Sequence, residues 1–108
     1  MKVRWSDQAK EQLRQTSYYV RKKFGKTARD AFVSKIHQTN NQLSSNPYLG
    51  KTEPLLASLS KEYRSIVATS FNKLVYHIID KHIEVAAFWD TRREPKSLIE
   101  DLEEQEEE

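Results

Sequence analysis

Among the ionisable side chains of one stretch in the second half of the chain, five are candidates for chemistry: Arg64, Lys73, His77, Arg92 and Arg93. Cations fixed on a rigid surface stabilise charge that develops on a reacting oxygen or phosphoryl group. One chemistry they suit is metal-free RNA cleavage, in which a 2′-hydroxyl attacks phosphorus. That reaction needs a base for the hydroxyl proton, an acid for the leaving oxygen and cations around the pentavalent phosphorane. Arg64, Lys73, Arg92 and Arg93 would supply the cations. His77 titrates near neutrality and would serve as base or acid. The competing reading is plainer: Arg64 and Arg93 sit in surface salt bridges, and His77 is a partly buried strand histidine. His82 reads as a turn residue, and Glu84 and Asp90 as cross-strand partners of basic residues. No His, Asp or Glu cluster shows metal-ligand spacing, so neither a metal nor another cofactor is called for.

The elements that position these residues read as three strands in succession, Tyr63–Ala68, Lys73–Ile79 and Ile83–Trp89. The connections, Thr69–Asn72 and Asp80–His82, are short and polar. A parallel return needs a crossover of a dozen or more residues, so the three strands pair antiparallel as a meander. Alternation puts Lys73, Val75, His77 and Ile79 on one face of the middle strand. An exposed basic segment, Asp90-Thr91-Arg92-Arg93, closes the meander.

Upstream, Lys2–Trp5 alternates as a short strand, and Ser6 is a natural N-cap with Asp7 favouring a helix start. Ala9, Leu13, Val20 and Phe24 keep helical spacing until Gly25 stops the helix. Tyr18 and Tyr19 are expected to widen its packed face. A second helix runs from near Thr27 to about Ser44, and Asn46-Pro47 ends it. With so short a link the helices must form an antiparallel hairpin. His37, beside Ile36, reads as structural. The loop from Asn46 to Lys61 holds apolar residues (Tyr48, Leu49, Leu55, Leu56, Leu59) that should pin it to the sheet or the helices. After Pro95, Leu98, Ile99 and Leu102 form a short helical pattern.

The expected fold is α+β: an N-terminal strand, then an antiparallel helical hairpin on one face of an antiparallel sheet of about four strands, and a short C-terminal helical segment. Residues 1–99 form one domain and residues 100–108 an acidic tail. The 108 residues carry 18 Lys and Arg against 16 Asp and Glu. Only nine of those acids precede residue 100, so the body is +9 and the tail −7. A basic body points to a polyanion or an acidic protein as partner. The tail reads as a frayed, solubilising end, with a screening strap over the basic face as the sharper alternative. Absence of cysteine fits a reducing cytosol. No apolar signal region opens the sequence and no run approaches membrane-spanning length, so no membrane partner is expected.

The ordered set Glu62-Tyr63-Arg64, Lys73–Asp80, Ile83–Trp89 and Asp90–Pro95, with Asn46-Pro47-Tyr48-Leu49-Gly50 upstream, resembles the RelE/ParE superfamily of toxins from bacterial type II toxin–antitoxin systems. The resemblance spans about residues 1–99. It implies a small cytoplasmic toxin neutralised by a cognate antitoxin that wraps a segment over the active surface. The superfamily splits in function: RelE-like members cut mRNA on the ribosome as mRNA interferases, whereas ParE-like members poison DNA gyrase and lack the nuclease residues. By resemblance, Arg64, Lys73 and Arg93 occupy basic positions of the nuclease site, with Lys73 standing where RelE has arginine. Arg92 matches a lysine-like neighbour. A lysine there keeps the charge and loses the bidentate fork. Two elements depart from the nuclease pattern: Ile66 stands at a second basic position, and Ile99 near the place of a catalytic tyrosine. The retained cations put a ribosome-dependent mRNA endonuclease slightly ahead, with Arg64, Lys73, His77 and Arg93 as catalytic candidates. The alternatives are a non-catalytic gyrase inhibitor and an inactive relative that binds only antitoxin. In each, Arg64, Lys73, Arg92 and Arg93 would contact nucleic acid or a protein partner.

Overall fold

A computed structural model describes residues 1–107; the final residue of the expected tail, Glu108, lies outside the described residues. Strand β1 (Lys2–Trp5) leads into helix α1 (Asp7–Phe24) and helix α2 (Lys26–Ser45). A two-residue strand β2 (Lys51–Thr52) and a 3-10 turn (Pro54–Leu56) follow, then β3 (Arg64–Val67), β4 (Asn72–Ile79), β5 (His82–Asp90) and helix α3 (Pro95–Glu107). The five strands lie in the order β1-β5-β4-β3-β2. The expected meander is present, with β3, β4 and β5 paired antiparallel. β1 pairs parallel with β5, Val3 opposite Ile83 and Trp5 opposite Val85. That pairing is open to it because the whole helical hairpin serves as the crossover.

Ser6 ties the start of α1 to the sheet. Its Oγ accepts from the Ala9 amide (3.1 Å) and donates to the Ala86 carbonyl (3.1 Å), while its own amide donates to Val85 O (2.9 Å). The Ala86 carbonyl is free for this because β5 bulges there: Val75 pairs with Ala87 and Tyr76 with Val85, leaving Ala86 without a partner on β4. Gly25 turns the chain between the helices at φ 96°, a conformation that costs glycine nothing extra.

Both faces of the sheet are covered, not the one expected. On the hairpin side, Ala9, Ile36 and Leu43 pack against Leu74, Tyr76, Ile83, Val85 and Phe88. On the other side, Leu98 and Leu102 of α3 join Leu56, Tyr63, Val75, Ala86, Ala87 and Trp89. The frayed tail is therefore a correction: α3 is one helix through Glu107, and it continues across residue 100 without a break. Leu98 and Leu102 are fully buried. Their four-residue spacing gives one apolar stripe, and the acids occupy the rest of the circumference. The far end is latched as well. Glu106 accepts from the Ser60 amide (3.1 Å) and the Tyr63 hydroxyl (2.9 Å), and Gln105 donates to Gln8 and to the Ala86 carbonyl.

Tyr18 and Tyr19 are a second correction. They are 62% and 54% exposed. With 3.6 residues per turn they point well away from the Ala9–Leu13–Val20 stripe, one to each side. In the loop, Leu56 is buried as expected, whereas Tyr48 and Leu49 are exposed.

Candidate functional site

The five candidate residues do not converge. Register places Arg64 opposite Tyr76 and Lys73 opposite Val67, so Arg64 and Lys73 project from opposite faces of the sheet. Arg64 is a clamp on the loop after α2. Its Nη1 donates to Gly50 O (2.9 Å), its Nη2 reaches Glu62 (3.2 Å), and its guanidinium lies 5.0 Å from the Tyr48 ring centre. The Tyr76 hydroxyl completes the clamp by accepting from Gly50 N (2.9 Å) and donating to Pro47 O (2.8 Å).

Lys73 faces the α3 side. Its Nζ donates to Glu53 Oε2 (2.9 Å), which also accepts from Ser65 Oγ (2.8 Å). Lys73 and Glu53 are both mostly shielded, with side-chain exposures of 19% and 14%. Burial pushes the Glu53 carboxyl up, but the bonds from Lys73 and Ser65 outweigh it and hold the carboxyl below its ordinary value. Lys73 pairs across the sheet with Trp89, and the Arg93 guanidinium lies 4.3 Å from the Trp89 ring centre. Lys73 and Arg93 are thus the two candidates that share a neighbourhood.

His77 is on the same face as Lys73 but inside the protein. It is 3% exposed. Its Nε2 lies 3.2 Å from Glu84 Oε1, and its ring meets Tyr63 edge-on at 5.5 Å. Burial lowers its pKa, and the opposing pull of Glu84 is the smaller effect. His77 is therefore neutral at neutral pH, and Tyr63 beside it donates to Glu106 of α3. Arg92 is outside: it chelates Asp90 through Nε (3.0 Å) and Nη2 (2.9 Å) and lies 4.3 Å over the Phe71 ring. Glu84 is the cross-strand partner expected of it, opposite His77, whereas Asp90 faces Asn72 across the sheet and pairs instead with Arg92 two residues on. Among the described residues no group of three or more His, Cys, Asp or Glu could hold a metal ion.

A groove of about 990 Å³ lies elsewhere, between the outer edge of β1 and the two helices. Val3, Trp5, Leu13, Val33 and Ile36 line its apolar part. Arg4, Lys10, Arg14, Arg21 and Arg29 line it with charge, against Asp7 and Glu84. Trp5 is held there by its Nε1 donating to Asn40 Oδ1 (2.9 Å). The signal in the sequence was the set of basic residues on one side of α1 (Lys10, Arg14 and Arg21), legible once that helix is drawn as a wheel.

Residues 3–95 match the family model described as the ParE toxin of the type II toxin-antitoxin system, parDE. The chain belongs to the ParE toxin family. Its fold is that of a solved chain from the chromosomal ParDE system of P. aeruginosa, at a TM-score of 0.68 and 14% identity, covering 83% of this chain and 95% of that one. It is also similar to the YoeB dimer from Staphylococcus aureus (TM-score 0.55, 26% identity, 82% of this chain and 93% of that one). The YoeB–YefM complex from the same organism matches over the same shares at TM-score 0.54 and 26% identity. No match was found among curated proteins. The family makes this chain the toxin of a type II toxin–antitoxin module, and an antitoxin is its expected partner. No described helix is long and apolar enough to cross a membrane.

Proposed function

We propose that this ParE-family chain acts by binding its target and has no nuclease activity of its own, with cytoplasmic DNA gyrase as that target. One observation carries this reading: the residues that would have to meet on a phosphorane are separated. Arg64 is on the hairpin face clamping Gly50, while Lys73 is on the opposite face bonded to Glu53. His77, the candidate base or acid on that face, is buried and paired with Glu84. General acid–base catalysis needs a group within hydrogen-bond reach of the substrate, and His77 has no path to one while α3 is docked. This reverses the slight preference for a nuclease drawn from the cations in the sequence. Residues 1–99 with their helical continuation then serve as a single binding domain.

The groove along β1 and the hairpin fits the antitoxin. An extended or helical segment with apolar anchors and acidic flanks would fill the Trp5–Leu13–Ile36 trough and answer the arginines around it.

The test is an in vitro supercoiling assay with purified gyrase, beside primer extension on a reporter mRNA after induction of the chain. The expected result is inhibited supercoiling or trapped cleavage complexes with intact mRNA. Discrete, translation-dependent cuts in the mRNA would overturn the reading and return Lys73 and Arg93 to the catalytic list.

A further inference from the structure

Helices α1 and α3 present rows of opposite charge at helical spacing. On α1, Lys10, Arg14 and Arg21 line one wall of the groove. That row runs about 16 Å along the helix. On α3, Glu100, Glu103, Glu104 and Glu107 fall three, four and seven residues apart, on one exposed face. That row is about 10 Å long, short enough to lie alongside the first. It points away from the sheet because Leu98 and Leu102, on the opposite side of α3, are buried.

Both rows keep charge that the fold does not neutralise. In the groove Arg14 is paired with Glu11 and Arg29 with Asp30. Arg4, Lys10 and Arg21 line the same groove and have no ion-pair partner among the described residues. On α3, Glu106 is held in the latch to Ser60 and Tyr63, and Glu100 lies 3.9 Å from Lys96. Glu103, Glu104 and Glu107 are exposed and have no ion-pair partner among the described residues. The two rows do not meet within one chain. α3 is docked on the sheet face opposite the hairpin, and none of its described residues lines the groove. Its acids would have to give up the burial of Leu98 and Leu102 to reach the arginines of their own chain. A second copy meets them with both helices in place.

We propose that the acidic row of α3 from one copy of this chain docks in the groove of a second copy, against Arg4, Lys10 and Arg21. Opposite potentials match across the contact. Each copy offers a different surface, so the contact is head-to-tail. α3 brings only the half-buried Ile99 to the apolar floor of the groove. Charge therefore dominates, and exposed ion pairs are weak, so the dissociation constant is on the order of 0.1–1 mM at low salt. An antitoxin segment with apolar anchors would displace it. The inference rests on the groove as the seat of an acidic segment and not on gyrase as target. Its test uses the purified chain alone, so failure of a gyrase or antitoxin assay leaves its outcome untouched.

Analytical ultracentrifugation of the full chain at protein concentrations up to about 1 mM, in roughly 50 and 500 mM salt, tests this. The wild type should associate at low salt and bind itself at least about tenfold more weakly at high salt. The double variant Lys10→Glu, Arg21→Glu loses the groove half of the contact, and Glu103→Lys, Glu104→Lys loses the α3 half. Each should stay monomeric alone. Mixed in equal amounts, they keep one intact half each and should form a dimer and nothing larger. All four sites are exposed, and unchanged unfolding midpoints will show that the fold is kept. Lys51→Glu, Lys81→Glu makes the same change of net charge on exposed residues outside the groove and should associate as wild type. A wild type that stays monomeric at low salt would overturn the proposal. So would a groove or α3 variant that associates as wild type, or a mixture of the two that stays monomeric. Equal loss in the Lys51→Glu, Lys81→Glu control would reduce the contact to diffuse electrostatics and overturn it as well.

Discussion

Replacing Leu102 by alanine separates a docked α3 from a solvated acidic tail. Leu102 is fully buried beside Leu98, Trp89 and Val75. If α3 stays in place, the substitution leaves a cavity, and buried Leu→Ala changes cost about 2–5 kcal/mol. If α3 instead lifts off, the loss is limited to what docking contributes. Two buried leucines are worth roughly 3–6 kcal/mol, less the conformational entropy that the released helix regains. Both routes end near 2–3 kcal/mol, which for a domain of about 100 residues lowers Tm by roughly 10–20 °C. Urea and thermal unfolding, followed by far-ultraviolet circular dichroism and tryptophan emission, give the number. Trp89 is 2% exposed in the same cluster, so lifting of the helix also reddens its emission. Glu103→Ala, on the exposed side of α3, is the control and should shift stability by less than about 0.5 kcal/mol. A Leu102→Ala effect no larger than that control would refute the docked helix, and with it the shielding of His77.

Two further perturbations follow from the geometry. Gly50→Ala would place a Cβ 2.7 Å from both the Ser65 carbonyl oxygen and the Tyr76 hydroxyl; the first is backbone in a sheet and cannot yield, so a loss of about 1–3 kcal/mol is expected in urea unfolding, and an unchanged midpoint would contradict the clamp. The His77 pKa is lowered in the folded state by burial, so the unfolded chain binds the proton more readily. Stability from His77 is complete above its unfolded value near 6.5 and falls as pH drops toward the lower folded value. Unfolding free energies measured between pH 7.5 and 5 should decline with acidification in the wild type, with a shallower decline in His77→Gln. The carboxylates with lowered values, Glu53, Asp90 and Glu106, lose their contributions only at more acid pH. Equal slopes in the two proteins would remove His77 as the cause.

Much of the architecture was legible in local chemistry. Ser6, Gly25 and Asn46-Pro47 bound the two helices because capping, positive φ and the residue before proline are properties of a few neighbouring atoms. The three strands were legible because short polar links allow one pairing only. The resemblance to RelE/ParE toxins rested on the same ordered stretches, and the family match over residues 3–95 bears it out. What the sequence could not decide was where its cations point and whom they meet. Arg64 and Lys73 look equivalent in sequence, yet register across β3 and β4 sends them to opposite faces. His77 reads as a titrating strand residue until Glu84, Tyr63 and α3 enclose it. The acidic end reads as a solvated tail by composition, because charge count hides a two-leucine stripe whose worth depends on the apolar face waiting for it. Propensity and capping act over a turn or two of chain. Burial, ion pairing and the facing of a side chain are set by residues dozens of positions away, and only the closed tertiary structure brings those together.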